Sequence, residues 1–345
     1  MKNHFPHLFS PLKVRDVVFP NRIFLSPQGH SPKHRHPSSY ESDYDSGMMF
    51  FDKSQGGFGA CEITGGFVVD GKYEKYSRDQ IRELQSMAVQ TGAKVGTGLM
   101  TMIRYEDAPN LKPQRHEIYV KGGTPKGAPS EIGAAPGMPH HRIQYRASNG
   151  VWDGEDCYEM PRDYMEKILE SVRVSAKAAM DFGFDYISIN MGHGGALMSF
   201  LSAKENHRTD EFGGSIENRC RFPLMVFQAA RDVVGPKVPI VSTLGASLYD
   251  SRSADLSQTP DEVAEFLKRA QGLLDICIIS SGMDTTNMWN SNVFHCGTIF
   301  QPKAQELAFS IRMKKEAPQI IMVPRGGFNE PEKMEQAIAN GWADA

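Results

Sequence analysis

Short apolar runs rich in β-branched residues alternate along the chain with longer stretches of helical period, and this alternation sets its architecture. The sharpest run is Tyr186-Ile187-Ser188-Ile189, brief and entered through the Gly183 break, which predicts a buried strand. Comparable runs predict strands at 23–26, 59–64, 94–99, 238–243, 276–280 and 320–323. Helices are expected at 39–55, 79–90 and 161–182, from Ser215 onward, from Thr259 to about Gln271, and at 305–316 and 331–340. In 161–182 the apolar positions Ile168, Val172, Ala176 and Ala179 form one buried stripe. Strand, loop and helix in repeated order predict βα units around a parallel sheet.

Capping chemistry sharpens several of these starts. Ser215 is placed to cap a helix with Glu217 in its first turn, and Pro223 is expected to bend that helix. Thr259-Pro260-Asp261-Glu262 has capping-box spacing with Pro at the first helical position. At the start of the chain, Val17-Val18-Phe19 and Ile23-Phe24-Leu25-Ser26 flank the turn signal Pro20-Asn21, so a small hairpin is expected to lead into the first strand. Residues 104–160, crowded with Pro, Gly, His and charge, show no sustained period. They read as a long loop.

Composition excludes more than it assigns. The 345 residues can bury a large core, and 40% hydrophobic with 23% charged residues is ordinary for a globular protein. A formal net charge of −3 gives no reason to expect nucleic acid or an anionic membrane as partner. The first residues lack the apolar core of a signal peptide and no later run approaches the about 18 residues of a membrane helix, so a cytoplasmic location is expected. Five widely spaced cysteines (Cys61, Cys157, Cys220, Cys277, Cys296) contain no Cys-x-x-Cys pair and suggest neither disulfides nor zinc. His30, His34 and His36 lack partner ligands and read as a polar loop, so no metal site is expected.

Asn190-x-x-His193-Gly194, then SFLSA at 199–203, then NHRTDEFGGSIENRCRF at 206–222 resemble the old yellow enzyme family, in particular its 2,4-dienoyl-CoA reductase-like branch. LFSPLKVRDVVFPNRIFLSPQG at 8–29 and VPRGGF at 323–328 resemble it in the same order, so the likeness covers nearly the whole chain. It implies an FMN-binding (β/α)8 TIM barrel over 1–345. Through Arg104 and Ala128-Pro129-Ser130, it also implies that the long loop at 104–160 lies over the barrel mouth. Gly341-Trp342-Ala343-Asp344-Ala345 resembles the run into the eighth strand, so the sequence is expected to end at the start of that strand and to belong to a longer polypeptide. Larger relatives carry an iron–sulfur cluster and an FAD-type nucleotide-binding domain after the barrel. The resemblance implies NADH or NADPH as electron donor and a small unsaturated substrate, and it allows a homo-oligomer.

By resemblance, Asn190 and His193 hydrogen-bond the substrate carbonyl. Both side chains can donate, and such donors stabilise charge building on oxygen in the transition state. The implied cofactor contacts are Pro27, Gln28, Gly29, Gly65, Gly98, Thr243 and the Gly326-Gly327 pair, whose backbone N–H groups would approach the phosphate. Four positions depart from the family. Gly29 replaces a Thr or Cys, Gly98 (with Thr101 nearby) a Gln, Thr243 an Arg, and Gly195 the proton-donating Tyr. Candidate replacement acids are Tyr145, Tyr158, Tyr249 and His295. Arg208, Asp210 and Glu217 are expected to lock loop and helix together. Beside an FMN-dependent reductase of an activated C=C bond stand two alternatives: a degenerate barrel with a binding or structural role, and an amine dehydrogenase or demethylase-type flavoenzyme.

Overall fold

The computed structural model describes residues 4–25, 56–67, 78–99, 145–152, 155–192, 196–250, 256–284, 306–326, 328 and 330–345. The expected helix at 39–55, the three histidines, Arg104 and Cys296 lie outside them.

The chain opens with a two-stranded hairpin, β1 (Leu12–Val14) and β2 (Val17–Phe19), turning through Arg15 at φ 50°. The expected hairpin is thus displaced. Val17–Phe19 pairs with the strand before it, and the run after Pro20-Asn21 instead contributes Phe24, bridged in parallel to Ala60. From there the wall is parallel throughout: β3 (Ala60–Phe67), β4 (Lys94–Leu99), β8 (Tyr186–Ile189), β9 (Ile240–Asp250), β11 (Ile276–Asp284) and β12 (Ile321–Pro324), each hydrogen-bonded to the next. β4 and β8 have the expected bounds. β9 and β11 run several residues beyond them, and β10 (Leu256–Gln258) pairs antiparallel with the extension of β9.

Within 104–160, residues 145–159 form three short strands, β5 (Tyr145–Arg146), β6 (Gly150–Trp152) and β7 (Glu155–Glu159), in the order β5-β7-β6. Helices α1 (Arg78–Val89), α2 (Arg162–Asp181), α3 (Ala196–Leu201), α4 (Ile216–Val234), α5 (Pro260–Ala270), α6 (Glu306–Glu316) and α7 (Pro331–Ala339) occupy the connections. Ser215 caps α4 by accepting from Asn218 N–H, and Thr259 and Glu262 form the complete capping box at α5. Pro223 lies inside α4.

The βα order of this wall is that of a (β/α)8 barrel. One core lies between wall and helices, with Ile187, Ile189, Phe227, Phe266 and Cys277 fully buried. A second lies inside the wall, where Phe19 plugs the bottom, 4.9 Å from the Phe24 ring and 5.9 Å from the Tyr186 ring. Gly96 makes room for this plug, because a Cβ there would fall within the Tyr186 ring. Gly96→Ala is therefore expected to destabilise by about 1–3 kcal/mol, read as a lower urea midpoint.

Residues far apart in sequence close the bottom. Asp275 accepts from Arg15 Nε at 2.6 Å, Arg231 Nη2 at 2.5 Å and the Ile240 N–H at 2.8 Å. Leu8 N–H donates to Glu335 at 2.7 Å, and Arg22 Nη1 donates to the Asp344 carbonyl at 2.7 Å. A cleft of about 410 Å³ separates Phe24 from Val323 and Pro324, floored by Leu8 and walled by α7 and Ala345. No helix of the described residues is long and apolar enough to cross a membrane.

Candidate active site

The C-terminal ends of parallel barrel strands form the mouth, and residues two apart share a strand face. Ala60, Tyr186, Val241, Ile278 and Val323 pack inside with Phe19, which fixes which positions point inward. One step nearer the mouth are Glu62 on β3, Gly98 on β4, Ser188 on β8 and Thr243 on β9. A Cβ on Gly98 would stand 3.2 Å from Glu62 Oε1 and 3.6 Å from Ser188 Oγ, so these three share one spot. An apolar floor thus gives way to a polar layer just below the rim.

Asn190 stands at the rim, exposed, immediately after β8. Its Oδ1 accepts the Gly192 N–H at 2.8 Å, and Met191 N–H donates to the Thr243 carbonyl at 2.9 Å. A Cβ on Gly192 would lie 3.1 Å from Thr243 Cγ2 and 3.2 Å from Asn190 Oδ1. Asn190, Gly192 and Thr243 therefore form one corner. Because the carboxamide oxygen is committed to the backbone, the amino group is the end that Asn190 offers outward.

Glu62 was not among the residues expected to matter. Its half-buried side chain opens on the barrel interior, and burial pushes its carboxyl up to about 7, offset in part by the hydrogen bond from Ser188. The neighbouring Tyr186 phenol, buried and donating to the Cys61 carbonyl at 2.7 Å, is held well above its ordinary range. The signal in the sequence was one carboxylate at an inward position of an apolar strand. The buried thiols of Cys61, Cys220 and Cys277 are unpaired, and burial pushes Cys61 and Cys220 up to about 12 and Cys277 higher, so they are inert.

Of the other expected cofactor contacts, Gly65 lies in β3, Gly98 is the penultimate residue of β4, on its inner face, and Thr243 is buried on β9. Gly326 follows β12 at φ 121°, a conformation that favours glycine, and a Cβ there would press on the Glu306 carboxylate at 3.0 Å. His193, Gly195, Pro27, Gln28, Gly29, Thr101, Gly327 and His295 lie outside the described residues. Among the candidate acids, Tyr145 packs on Tyr164 at 4.2 Å, and burial and then Asp163 raise its phenol, making it a weaker acid. Tyr158 is exposed on β7, and Tyr249 lies in the extension of β9. Among the described residues, no group of His, Cys, Asp and Glu could hold a metal ion.

The motif at 206–222 is scaffold. Arg208 reaches the Ala147 and Met160 carbonyls at 3.2 and 2.9 Å and forks onto Asp210 at 3.0 and 2.6 Å. Asn206 Nδ2 donates to the Phe200 and Phe212 carbonyls, both at 2.7 Å. Gly213 must be glycine, since a Cβ would collide with the Arg208 carbonyl. Arg208 and Asp210 thus tie the loop to residues 147–160, while Glu217 pairs with Arg269 at 2.7 Å and joins α4 to α5.

The described rim suits the flavin that the resemblance implies. Asn190 and the polar layer of Glu62, Ser188 and Thr243 supply hydrogen-bonding groups close to the strand ends.

The family model described as NADH:flavin oxidoreductase / NADH oxidase matches residues 7–345. The cinnamate reductase of Clostridium sporogenes is 26% identical over 365 residues, covering 100% of this chain and 50% of that protein. The solved structure of a 2-naphthoyl-CoA reductase aligns with a TM-score of 0.72 at 20% identity, covering 99% of this chain and 49% of that one. Histamine dehydrogenase from Rhizobium sp. 4-9 aligns with a TM-score of 0.71 at 19% identity, covering 99% and 45%. The chain spans about half the length of each of these relatives. The two structural likenesses establish the barrel fold.

Proposed function

Because the chain belongs to the NADH:flavin oxidoreductase / NADH oxidase family, we propose that it forms the barrel of an FMN-dependent enzyme that uses NADH or NADPH to reduce an activated C=C bond. The substrate class is an enoate, enone or enoyl thioester. FMN, when bound, supplies the hydride chemistry, accepting hydride from the nicotinamide and delivering it from N5 to the β-carbon of the alkene. Asn190 and His193 bind the substrate carbonyl. The backbone around Pro27, Gln28 and Gly29, together with Gly65, Gly98 and Thr243, holds the ring, and the N–H groups of Gly326 and Gly327 hold the phosphate.

The observation that carries this reading is the orientation of Asn190. With Oδ1 accepting the Gly192 N–H, its amino group is the end left to donate to a ligand at the end of β8. A donor preset in this way needs no reorganisation as negative charge builds on the substrate oxygen, which is how such a group lowers a barrier. The relationship to a cinnamate reductase supports a substrate with an alkene conjugated to a carboxylate.

A visible spectrum of the purified protein, release of any flavin, and anaerobic titration with NADH and NADPH test the reading. A stoichiometric FMN band that bleaches on reduction and returns on adding cinnamate or an enone is the expected result. No flavin after reconstitution with excess FMN overturns it in favour of a binding or structural barrel. Bleaching by an amine without turnover of alkenes would replace it with an amine dehydrogenase.

A further inference from the structure

The polar layer beneath the rim holds a group for which none of the roles above accounts. Glu62 points inward from β3, between Gly98 of β4 and Ser188 of β8, and its Oε1 stands 3.2 Å from where a Cβ on Gly98 would be. The carboxyl therefore fills the space that a side chain at position 98 would occupy. β4 and β8 wall it on one side, and the Phe19 plug closes the barrel below. Asn190 and Thr243 stand on the mouth side of this layer.

We propose that Glu62 is a further residue of the cofactor site, contributing from β3 the hydrogen bond that Gly98 cannot make from β4 to the flavin ring bound across the mouth. This rests on the FMN reading above. A neutral carboxyl both donates and accepts, whereas the carboxylate only accepts. Near pH 7 Glu62 stands between these forms. Among the described residues, β8 turns Tyr186 and Ser188 toward it, β4 turns only Gly96 and Gly98, and the Cys61 thiol lies on the opposite strand face. The Tyr186 phenol stays protonated, so among these described groups Glu62 faces neutral neighbours.

The consequence is a proton coupled to the electrons. When a nicotinamide hydride transfers two electrons and one proton to the ring, the reduced ring becomes anionic. Above pH 7 the Glu62 carboxylate then takes one further proton from solvent and becomes the neutral acid. The repulsion between two anions is relieved, and the balance is two electrons with two protons instead of one.

The test is the pH dependence of the FMN midpoint potential, together with FMN affinity, in the native full chain and in Glu62→Gln. Glutamine keeps the shape and a donor but cannot titrate. Between about pH 7 and 9 the native protein is expected to show a slope about twofold steeper than the variant, the linkage signature of one extra proton. The native protein should also show a protonated-carboxyl band in the infrared difference spectrum on reduction, a readout that does not depend on the variant folding. Equal slopes with no carboxyl band, in a protein that binds and reduces FMN, overturn the role of Glu62 and leave the FMN reading intact. A native chain that binds no FMN overturns both.

Discussion

Asn190→Ala is expected to lower kcat for reduction of an enone or enoate by about 10²–10³-fold, with FMN content unchanged. Asn190 is exposed and packs on nothing in the core, so the fold should survive its truncation. What is lost is the donor aimed at the substrate oxygen, together with the Oδ1 contact that orders the turn at Gly192. Asn190→Asp separates the two contributions, because Asp can still accept from the Gly192 N–H and cannot donate when ionised. If the donor matters, Asp should be as slow as Ala in oxidation of the reduced enzyme by alkene, measured by stopped flow, while reduction by NADH or NADPH stays near the native rate. An Asp variant with native turnover would transfer the role elsewhere.

Arg208→Ala is expected to destabilise the protein by about 3–5 kcal/mol in urea unfolding. The Arg208 side chain is only 4% exposed and joins two backbone carbonyls to the Asp210 carboxylate, with Glu159 at 3.7 Å. Removing it leaves the Ala147 and Met160 carbonyls without this donor and Asp210 without its fork. Arg208→Lys should recover only part of the loss, since an ammonium cannot span these partners. The hydrogen bond from Arg208 holds the Asp210 carboxyl below its usual range. The contribution of this pair is therefore fully present above the ordinary carboxylate pKa. It is lost as pH falls through the lowered folded value, and the gap between native and Arg208→Ala should narrow there. Loss of flavin at unchanged stability would instead place Arg208 at the cofactor.

The parts of the fold that could be read in the chain are those where one local force decides. Lys94–Leu99 and Tyr186–Ile189 are short inward and outward alternations, each entered shortly after a glycine break at Gly92 or Gly183, and their bounds are those expected. Thr259-Pro260-Asp261-Glu262 fixes a helix start by chemistry within four residues, and it does so here. Where partners decide, the reading fell short. β9 and β11 extend past 243 and 280 because each supplies the other's hydrogen bonds out to Asp250 and Asp284, through a stretch with little apolar pattern. β5, β6 and β7 are two, three and five residues long, too short to show a period. The hairpin was misplaced because Pro20-Asn21 advertises a turn, whereas the tighter reversal occurs at Arg15, which carries no such signal.

The candidate site divides in the same way. The place of Asn190 immediately after a buried strand, at the rim, was legible in the sequence. Arg208 and Asp210 proved structural, as their place in a loop before a capped helix suggested. Glu62 escaped notice because its importance lies in what surrounds it. The missing Cβ of Gly98 and the hydroxyl of Ser188 are distant in sequence and meet it only in the closed sheet.

The closure at the bottom of the barrel also orders events in time. Leu8, Arg15 and Arg22 find their partners at Glu335, Asp275 and Asp344, some 260 to 330 residues later. During synthesis the hairpin emerges ahead of the rest of the described barrel and has nothing of it to dock against until nearly all of it has left the ribosome. Its apolar face, Leu12, Val14 and Phe19, is meanwhile exposed. Docking of the plug is thus expected to be a late and slow step of folding. Within the barrel, this hairpin is the segment that a chaperone would need to shield longest.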